Sequence, residues 1–106
     1  CDVNYHLWSE SCYSVSSLKA TWQTALNACE RDGGSLASIH SRDEADYISS
    51  VAFSTVWIGF NDLGTTGEWV WLDGTRDLWT NWGEGNPNDR GDCAVQLADG
   101  SWKSLP

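Results

Sequence analysis

Four cysteines constrain the fold of this 106-residue chain more than any other feature. They are Cys1, Cys12, Cys29 and Cys93. None belongs to a C-x-x-C pair and the two histidines do not complete a zinc-finger spacing, so the pattern favours disulfides over a zinc site. Disulfides persist in oxidising compartments, which predicts a secreted, extracellular protein.

Cys1 and Cys12 flank a short, strand-like segment, and we expect them to bridge each other. On the chain-entropy account, a loop of this size would stabilise the fold by about 3 kcal/mol. The partners of Cys29 and Cys93 do not follow from their positions alone.

The net charge of the chain limits the classes of ligand that it can bind. The net charge is -9, from 15 acidic and 6 basic side chains. Nucleic acids and anionic membranes would repel such a chain, and no apolar run is long enough to span a membrane. Hard cations such as calcium, which take oxygen ligands, are compatible with it. A plain solvated acidic surface is equally compatible.

The order of helical and strand patterns predicts an α+β fold in a single domain over residues 1–106. Short strands are expected in 5–15, a first helix from Thr21 to the glycines at 33–34, and a second helix over 42–52. In the second helix, Ser41 and Glu44 form a capping box. Strands follow at 56–60, 68–72 and 93–97, and an Asp99-Gly100 turn leads into the last strand-like residues, 101–103. Residues 73–92 have little regular pattern, and so long a loop is often functional.

These residues together resemble the C-type lectin domain, over essentially the whole chain. The resemblance rests on the following elements in this order: Cys1, Cys12, Trp22, Ala25, Cys29, Gly33-Gly34-Ser35-Leu36-Ala37, Glu44, Trp57-Ile58-Gly59, Trp69-Val70-Trp71, Asp73-Gly74, Asn81-Trp82, Pro87-Asn88, Asp92-Cys93 and Gly100-Ser101-Trp102. It implies two small antiparallel sheets flanked by two helices, with a long ligand loop within 73–92. It also implies a cis peptide bond before Pro87.

The implied function is that of an extracellular carbohydrate-binding module with calcium as cofactor. Its partner would be a glycan or glycoprotein, such as microbial surface sugars in innate immunity. Asn86, Pro87, Asn88 and Lys103 are the predicted carbohydrate-binding residues, and Asn86 and Asn88 would also hold the sugar-site calcium. The resemblance places a second calcium site at Asp62, Asp89 and Asp92.

Several positions depart from the family pattern. Asn86 stands where the family has Glu or Gln, Gly91 where it has Glu, and Lys103-Ser104 where it has Asn-Asp. In the second site, Thr66 replaces a Glu. Calcium favours six to eight oxygen ligands and its affinity follows their charge, so these losses weaken the sugar site. The alternative is a calcium-independent domain of this fold that binds a protein. An ice- or mineral-binding member also fits the acidity, without a specific residue behind it.

The family has a further strand and two further cysteines that would lie after Pro106. The resemblance pairs Cys29 and Cys93 with those cysteines. The alternatives are free thiols, a bond between Cys29 and Cys93, or a bond to another chain.

Catalysis is not expected, because His6 and His40 show no triad arrangement. The patterned tryptophans are expected in the core: Trp22, Trp57, Trp69 and Trp71. We expect Trp82 to pack as well, and we leave Trp79 open between packing and stacking on a sugar.

Overall fold

The computed structural model describes residues 1, 5–16, 19–89 and 91–106, and it has the predicted α+β architecture. Its elements are β1 (His6–Trp8), β2 (Ser11–Tyr13), α1 (Trp22–Arg31), α2 (Arg42–Ala52), β3 (Val56–Asn61), β4 (Val70–Trp71), β5 (Cys93–Gln96) and β6 (Trp102–Leu105). The described strands form two antiparallel sheets: the β1–β2 hairpin, and four strands in the order β4-β3-β5-β6. No helix in these ranges is long and apolar enough to cross a membrane.

The N-terminal hairpin is held by the predicted disulfide and by aromatic packing. Cys1 and Cys12 are bridged, with their Cα atoms 5.6 Å apart. Trp8 stacks on Tyr47 of α2, with ring centroids 5.5 Å apart, and Tyr13 meets Tyr47 edge-on. These contacts hold the hairpin against α2.

The first helix begins where its cap predicts. The Thr21 side chain accepts a hydrogen bond from the backbone N–H of Thr24 at 3.2 Å, and Gly33 follows the helix with a φ of 85°. Trp22 is buried, and its Nε1 donates to the carbonyl of Ile58 at 2.8 Å. This bond ties α1 to β3.

The second helix confirms only half of the predicted capping box. Ser41 Oγ accepts from the N–H of Glu44 at 3.1 Å, as expected. The Glu44 carboxylate does not return to the N-cap residue: it accepts from the N–H of His40 at 2.8 Å and from the Tyr13 hydroxyl. Burial and this carboxylate together raise the pKa of Tyr13. Glu44 therefore joins β2, α2 and the segment before α2.

The core lies between α2 and the four-stranded sheet. Phe60, Trp71 and Trp102 are each at most 2% exposed, and the Phe60 and Trp71 rings stack 4.4 Å apart. The predicted strand over 68–72 is reduced to Val70 and Trp71, which pair with Asn61 and Phe60 of β3. Of the other predicted core tryptophans, Trp22 is buried, and Trp57 and Trp69 are half-buried against the core clusters.

A buried glutamine joins α2 to the sheet. Gln96 is 1% exposed, and its Nε2 donates to the Ala45 carbonyl at 2.9 Å while its Oε1 accepts from Trp102 Nε1 at 3.0 Å. A buried amide is tolerated because both of its ends are hydrogen-bonded. It fixes the register of β5 and β6, which carry the residues of the candidate site.

Candidate functional site

The irregular stretch before β5 runs along the outer edge of β6. β6 ends the sheet, so only one of its edges pairs with β5. On the other edge, the N–H of Trp102 donates to the carbonyl of Asn81 and the N–H of Gly83 donates to the carbonyl of Trp102, both at 2.9 Å. Further along, Asn86 Oδ1 accepts from the N–H of Ser104 at 3.3 Å. The loop thus covers a strand edge that would otherwise expose unpaired backbone groups.

The turn at the centre of this loop has the predicted cis bond between Asn86 and Pro87. Asn88 Nδ2 donates to Asn86 Oδ1 at 3.2 Å, and Asn86 Nδ2 donates to the Glu84 carbonyl at 3.2 Å. With the bond from Ser104, Asn86 Oδ1 accepts two hydrogen bonds, which matches the two lone pairs of an amide oxygen. This predicted calcium ligand is already satisfied by the protein.

Two neighbouring residues of β6 have opposite environments. Lys103 is exposed, whereas Ser104 is 2% exposed. Ser104 Oγ accepts from the N–H of Asn88 at 2.9 Å and donates to the Asn88 carbonyl at 3.3 Å. Sequence reasoning identified Ser104 only as a lost calcium ligand. Its bonding to a residue 16 positions earlier depends on how the loop lies on β6, for which the sequence carries no local signal.

Gly91 occupies a place with no room for a side chain. A Cβ at this position would lie 2.5 Å from the backbone nitrogen of Leu105 and 2.6 Å from the carbonyl carbon of Ser104. Real Cβ atoms essentially never approach backbone so closely. The glutamate that the family pattern places here cannot enter without displacing β6.

An acidic pair lies on the other side of the same segment. Asp62, at the end of β3, is 6% exposed, and its N–H donates to the carbonyl of Asp92 at 3.0 Å. Asp62 Oδ2 accepts from the N–H of Gly67 at 2.9 Å, while its buried Oδ1 has no hydrogen-bond partner. A hydrogen bond with the Asp62 carboxyl, and the charge of that carboxyl, raise the pKa of Asp92. An unsatisfied buried carboxylate oxygen is costly, so this pair would gain from a proton or a cation.

The third aspartate predicted for this site is Asp89, which is exposed. No group of three or more His, Cys, Asp or Glu side chains in the described part of the chain is arranged to hold a metal ion. Asp62 and Asp92 are therefore the two carboxylates of the predicted second calcium site that the structure brings together.

Cys29 and Cys93 are free thiols in the structure, and both lie in the smaller core cluster around Trp22 and Leu36. Burial, and then the charges of Asp92 and Asp62, raise the pKa of Cys93 to about 11. Burial also raises the pKa of Cys29. Thiols held protonated in this way are poor nucleophiles and poor metal ligands.

A histidine, a threonine and an aspartate meet at the start of the long loop. Thr75 Oγ1 donates to Asp73 Oδ1 at 2.6 Å and lies 2.9 Å from His40 Nε2. Burial opposes ionisation of Asp73, but the bonds from Thr75 and Ser38 and the nearby His40 outweigh it and lower its pKa. The Asp73 carboxylate bonds the Thr75 hydroxyl and not the His40 imidazole. The three side chains therefore order a turn, and they do not form the acid–base–nucleophile chain of contacts that activates a hydroxyl.

The tryptophans of the loop face the core. Trp79 and Trp82 are half-buried, and each makes an edge-on contact with Trp102, at 5.5 and 6.0 Å. Trp82 packs as predicted. Trp79, for which the sequence left two roles, also packs against the core.

Comparison with known proteins gives consistent matches. The family model described as the Lectin C-type domain matches residues 18–106. The low affinity immunoglobulin epsilon Fc receptor of Mus musculus is 35% identical over 106 residues, which cover 96% of this chain and 32% of the receptor. The chain thus spans about a third of that receptor's length.

Two solved structures are similar over the whole chain. One is the carbohydrate-recognition domain of cow CD23 in the presence of a GlcNAc2Man3 oligosaccharide, with 34% identity, a TM-score of 0.94, and coverage of 99% of this chain and 84% of that one. The other is a calcium-independent type II antifreeze protein, with 34% identity, a TM-score of 0.95, and coverage of 100% and 85%.

Proposed function

The chain belongs to the C-type lectin domain family, and from that premise we propose that it is an extracellular binding module whose loop on β6 recognises a protein ligand without calcium. The Cys1–Cys12 disulfide supports the extracellular setting. Among the described residues, the thiols of Cys29 and Cys93, whose pKa values are raised, and the Thr75 cluster offer no activated nucleophile, which supports recognition without catalysis.

The observation that carries the proposal is the contact of Gly91 with β6. A sugar-site calcium needs several oxygen ligands, and carboxylates among them supply the affinity. The backbone of Ser104 and Leu105 fills the space that a side chain at position 91 would need. Asn86 Oδ1 is engaged by two donors, and the ammonium of Lys103 adds a positive charge on the adjoining strand. The residues at this position do not fit calcium.

Asp62 and Asp92 fit a cation better. Asp62 Oδ1 is buried without a hydrogen-bond donor, and a hydrogen bond with the Asp62 carboxyl, together with the charge of that carboxyl, raises the pKa of Asp92. A cation between the two carboxylates would offset that charge. These two carboxylates would hold calcium, which would supply positive charge to the β3 end of the fold. Isothermal titration of Ca²⁺ into the EGTA-treated protein tests this site. The Asp62→Asn variant, which lacks one of the two carboxylates, is the matched control.

A glycan bound directly is the second candidate. The cis Asn86–Pro87 turn is retained, and a similar structure was determined in the presence of an oligosaccharide. This candidate places the exposed Lys103 ammonium and the Asn88 amide beside sugar hydroxyls, with no metal between them.

A glycan array probed in calcium and in EGTA separates the candidates. We expect no glycan to bind in either condition, as for a protein-binding module. Glycan binding that persists in EGTA would favour the second candidate. Glycan binding that EGTA abolishes, and that Asn86→Ala also abolishes, would contradict calcium independence.

A further inference from the structure

We propose that Ser104 is the positioning residue that holds the Asn86–Asn88 turn on β6, so that the ligand loop keeps one shape without a metal. This inference rests on the proposed function, because it explains how a calcium-independent loop is ordered. It assigns to the hydroxyl and backbone N–H of Ser104 the hydrogen bonds that hold the Asn86–Asn88 turn on β6.

Three hydrogen bonds converge on Ser104. Its N–H donates to Asn86 Oδ1 at 3.3 Å. Its Oγ accepts from the N–H of Asn88 at 2.9 Å and donates to the carbonyl of Asn88 at 3.3 Å. A hydroxyl has one donor and two acceptor positions, so it can bond both backbone groups of one residue, as a neighbouring strand would.

Because these hydrogen bonds are shielded from water, they favour a single conformation of the loop. Ser104 is 2% exposed, and Asn86 and Asn88 are half-buried. Water therefore has little access to Oγ, and removal of the hydroxyl would take a partner from two backbone groups of Asn88 at once. Loss of a partner in a buried setting costs more than the bond itself contributes.

A second contact between β6 and the loop is the close packing of the β6 backbone against Gly91. The backbone of Ser104 and Leu105 lies within van der Waals distance of that glycine, so close that no Cβ fits. The turn is thus tied to β6 by Ser104 at Asn86 and Asn88 and by close packing at Gly91. Both ties are made by uncharged groups, which neither calcium nor its removal would alter.

Amide hydrogen exchange of residues 83–89 tests this role, in the whole chain and in both EDTA and calcium. In an Asp62→Asn background, which removes one carboxylate of the acidic pair, exchange in these residues should be the same in the two solutions. Ser104→Ala should raise exchange in these residues by about 5- to 30-fold in both, the effect of losing one or two buried hydrogen bonds. Exchange in β3 should stay at its wild-type value. Ser50→Ala is the matched control, since its hydroxyl bonds only the Tyr47 carbonyl on α2 among the contacts described, and the loop should not respond.

Asn86→Ala provides a second variant, because it removes the partner of the Ser104 N–H and leaves the Ser104 hydroxyl in place. It should also raise loop exchange selectively. Unchanged loop exchange in both variants would overturn the role of Ser104, and so would a uniform rise that includes β3. A loop that loses protection in EDTA even in an Asp62→Asn background, where the acidic pair no longer has both carboxylates, would instead contradict the calcium-independent function.

Discussion

Gly91 and Asp92 are consecutive, yet they belong to two regions that differ in how well their polar groups are hydrogen-bonded. The loop on β6 contains amides and a hydroxyl that are bonded to one another, and Gly91 closes it against the strand. The acidic pair contains Asp62 and Asp92, with a buried oxygen lacking a hydrogen bond and a raised pKa. Where carboxylates are absent, neutral hydrogen bonds complete the structure. Where carboxylates remain, a buried oxygen is left without a hydrogen bond, and this favours binding of a proton or a cation.

The largest expected effect comes from restoring the family's glutamate. Gly91→Glu forces a Cβ into the backbone of β6, so we expect the free energy of unfolding to fall by about 3 kcal/mol or more. Urea unfolding followed by tryptophan fluorescence measures this, with and without calcium. Gly64→Glu is the control, because open space surrounds Gly64. A stable Gly91→Glu variant that binds more calcium ions than the wild-type chain does would break the contrast between the regions.

Next in size is the loss of the side chain that covers the β6 edge. Asn86→Ala leaves the N–H of Ser104 without its partner, and should lower the free energy of unfolding by about 1–2 kcal/mol. The same urea experiment measures the change. Asn27→Ala, on the exposed side of α1, should remain within about 0.5 kcal/mol of wild type. Equal losses in the two variants would mean that the loop bond adds no stability.

The acidic pair should respond to pH in the opposite sense to a salt-bridged carboxylate. The folded pKa of Asp92 is raised, so the folded state binds its proton more tightly than the unfolded chain does. The stability gained from this proton is complete below the unfolded pKa, about 3.9, and is lost as pH rises through the folded pKa. In EDTA, Asp92→Asn should therefore raise the thermal midpoint at pH 7 and leave it unchanged near pH 3. An effect of equal size at both pH values would rule out charge repulsion as its cause.

The smallest expected effect is at Lys103. Its side chain is exposed, so Lys103→Ala should change the free energy of unfolding by less than about 0.5 kcal/mol. Ser104→Ala, one residue away, should lower the free energy of unfolding more. The comparison tests whether burial of a side chain, and not its place on β6, determines its contribution to stability. A loss at Lys103 above about 1 kcal/mol would show that the ammonium has a structural role.

Much of the fold was predictable because its signals are local. Thr21 and Ser41 cap the two helices, and the apolar periods of the helices match the core that formed. The second half of the capping box was wrong because the Glu44 carboxylate accepts from the N–H of His40 and from the hydroxyl of Tyr13, which lies 31 positions earlier in the chain. In the candidate site, the cis bond before Pro87 followed from the resemblance, whereas the bonds of Ser104 did not.

The sequence by itself determined the α+β order, the Cys1–Cys12 bridge and the set of polar residues on the long loop. These depend on residue type and spacing within a few turns of chain. The tertiary structure decided which polar groups are already satisfied: Asn86 by Ser104, and Asp62 only in part. Those contacts join residues far apart in the chain, and hydrogen bonding there depends on distances of a few tenths of an ångström that spacing does not encode.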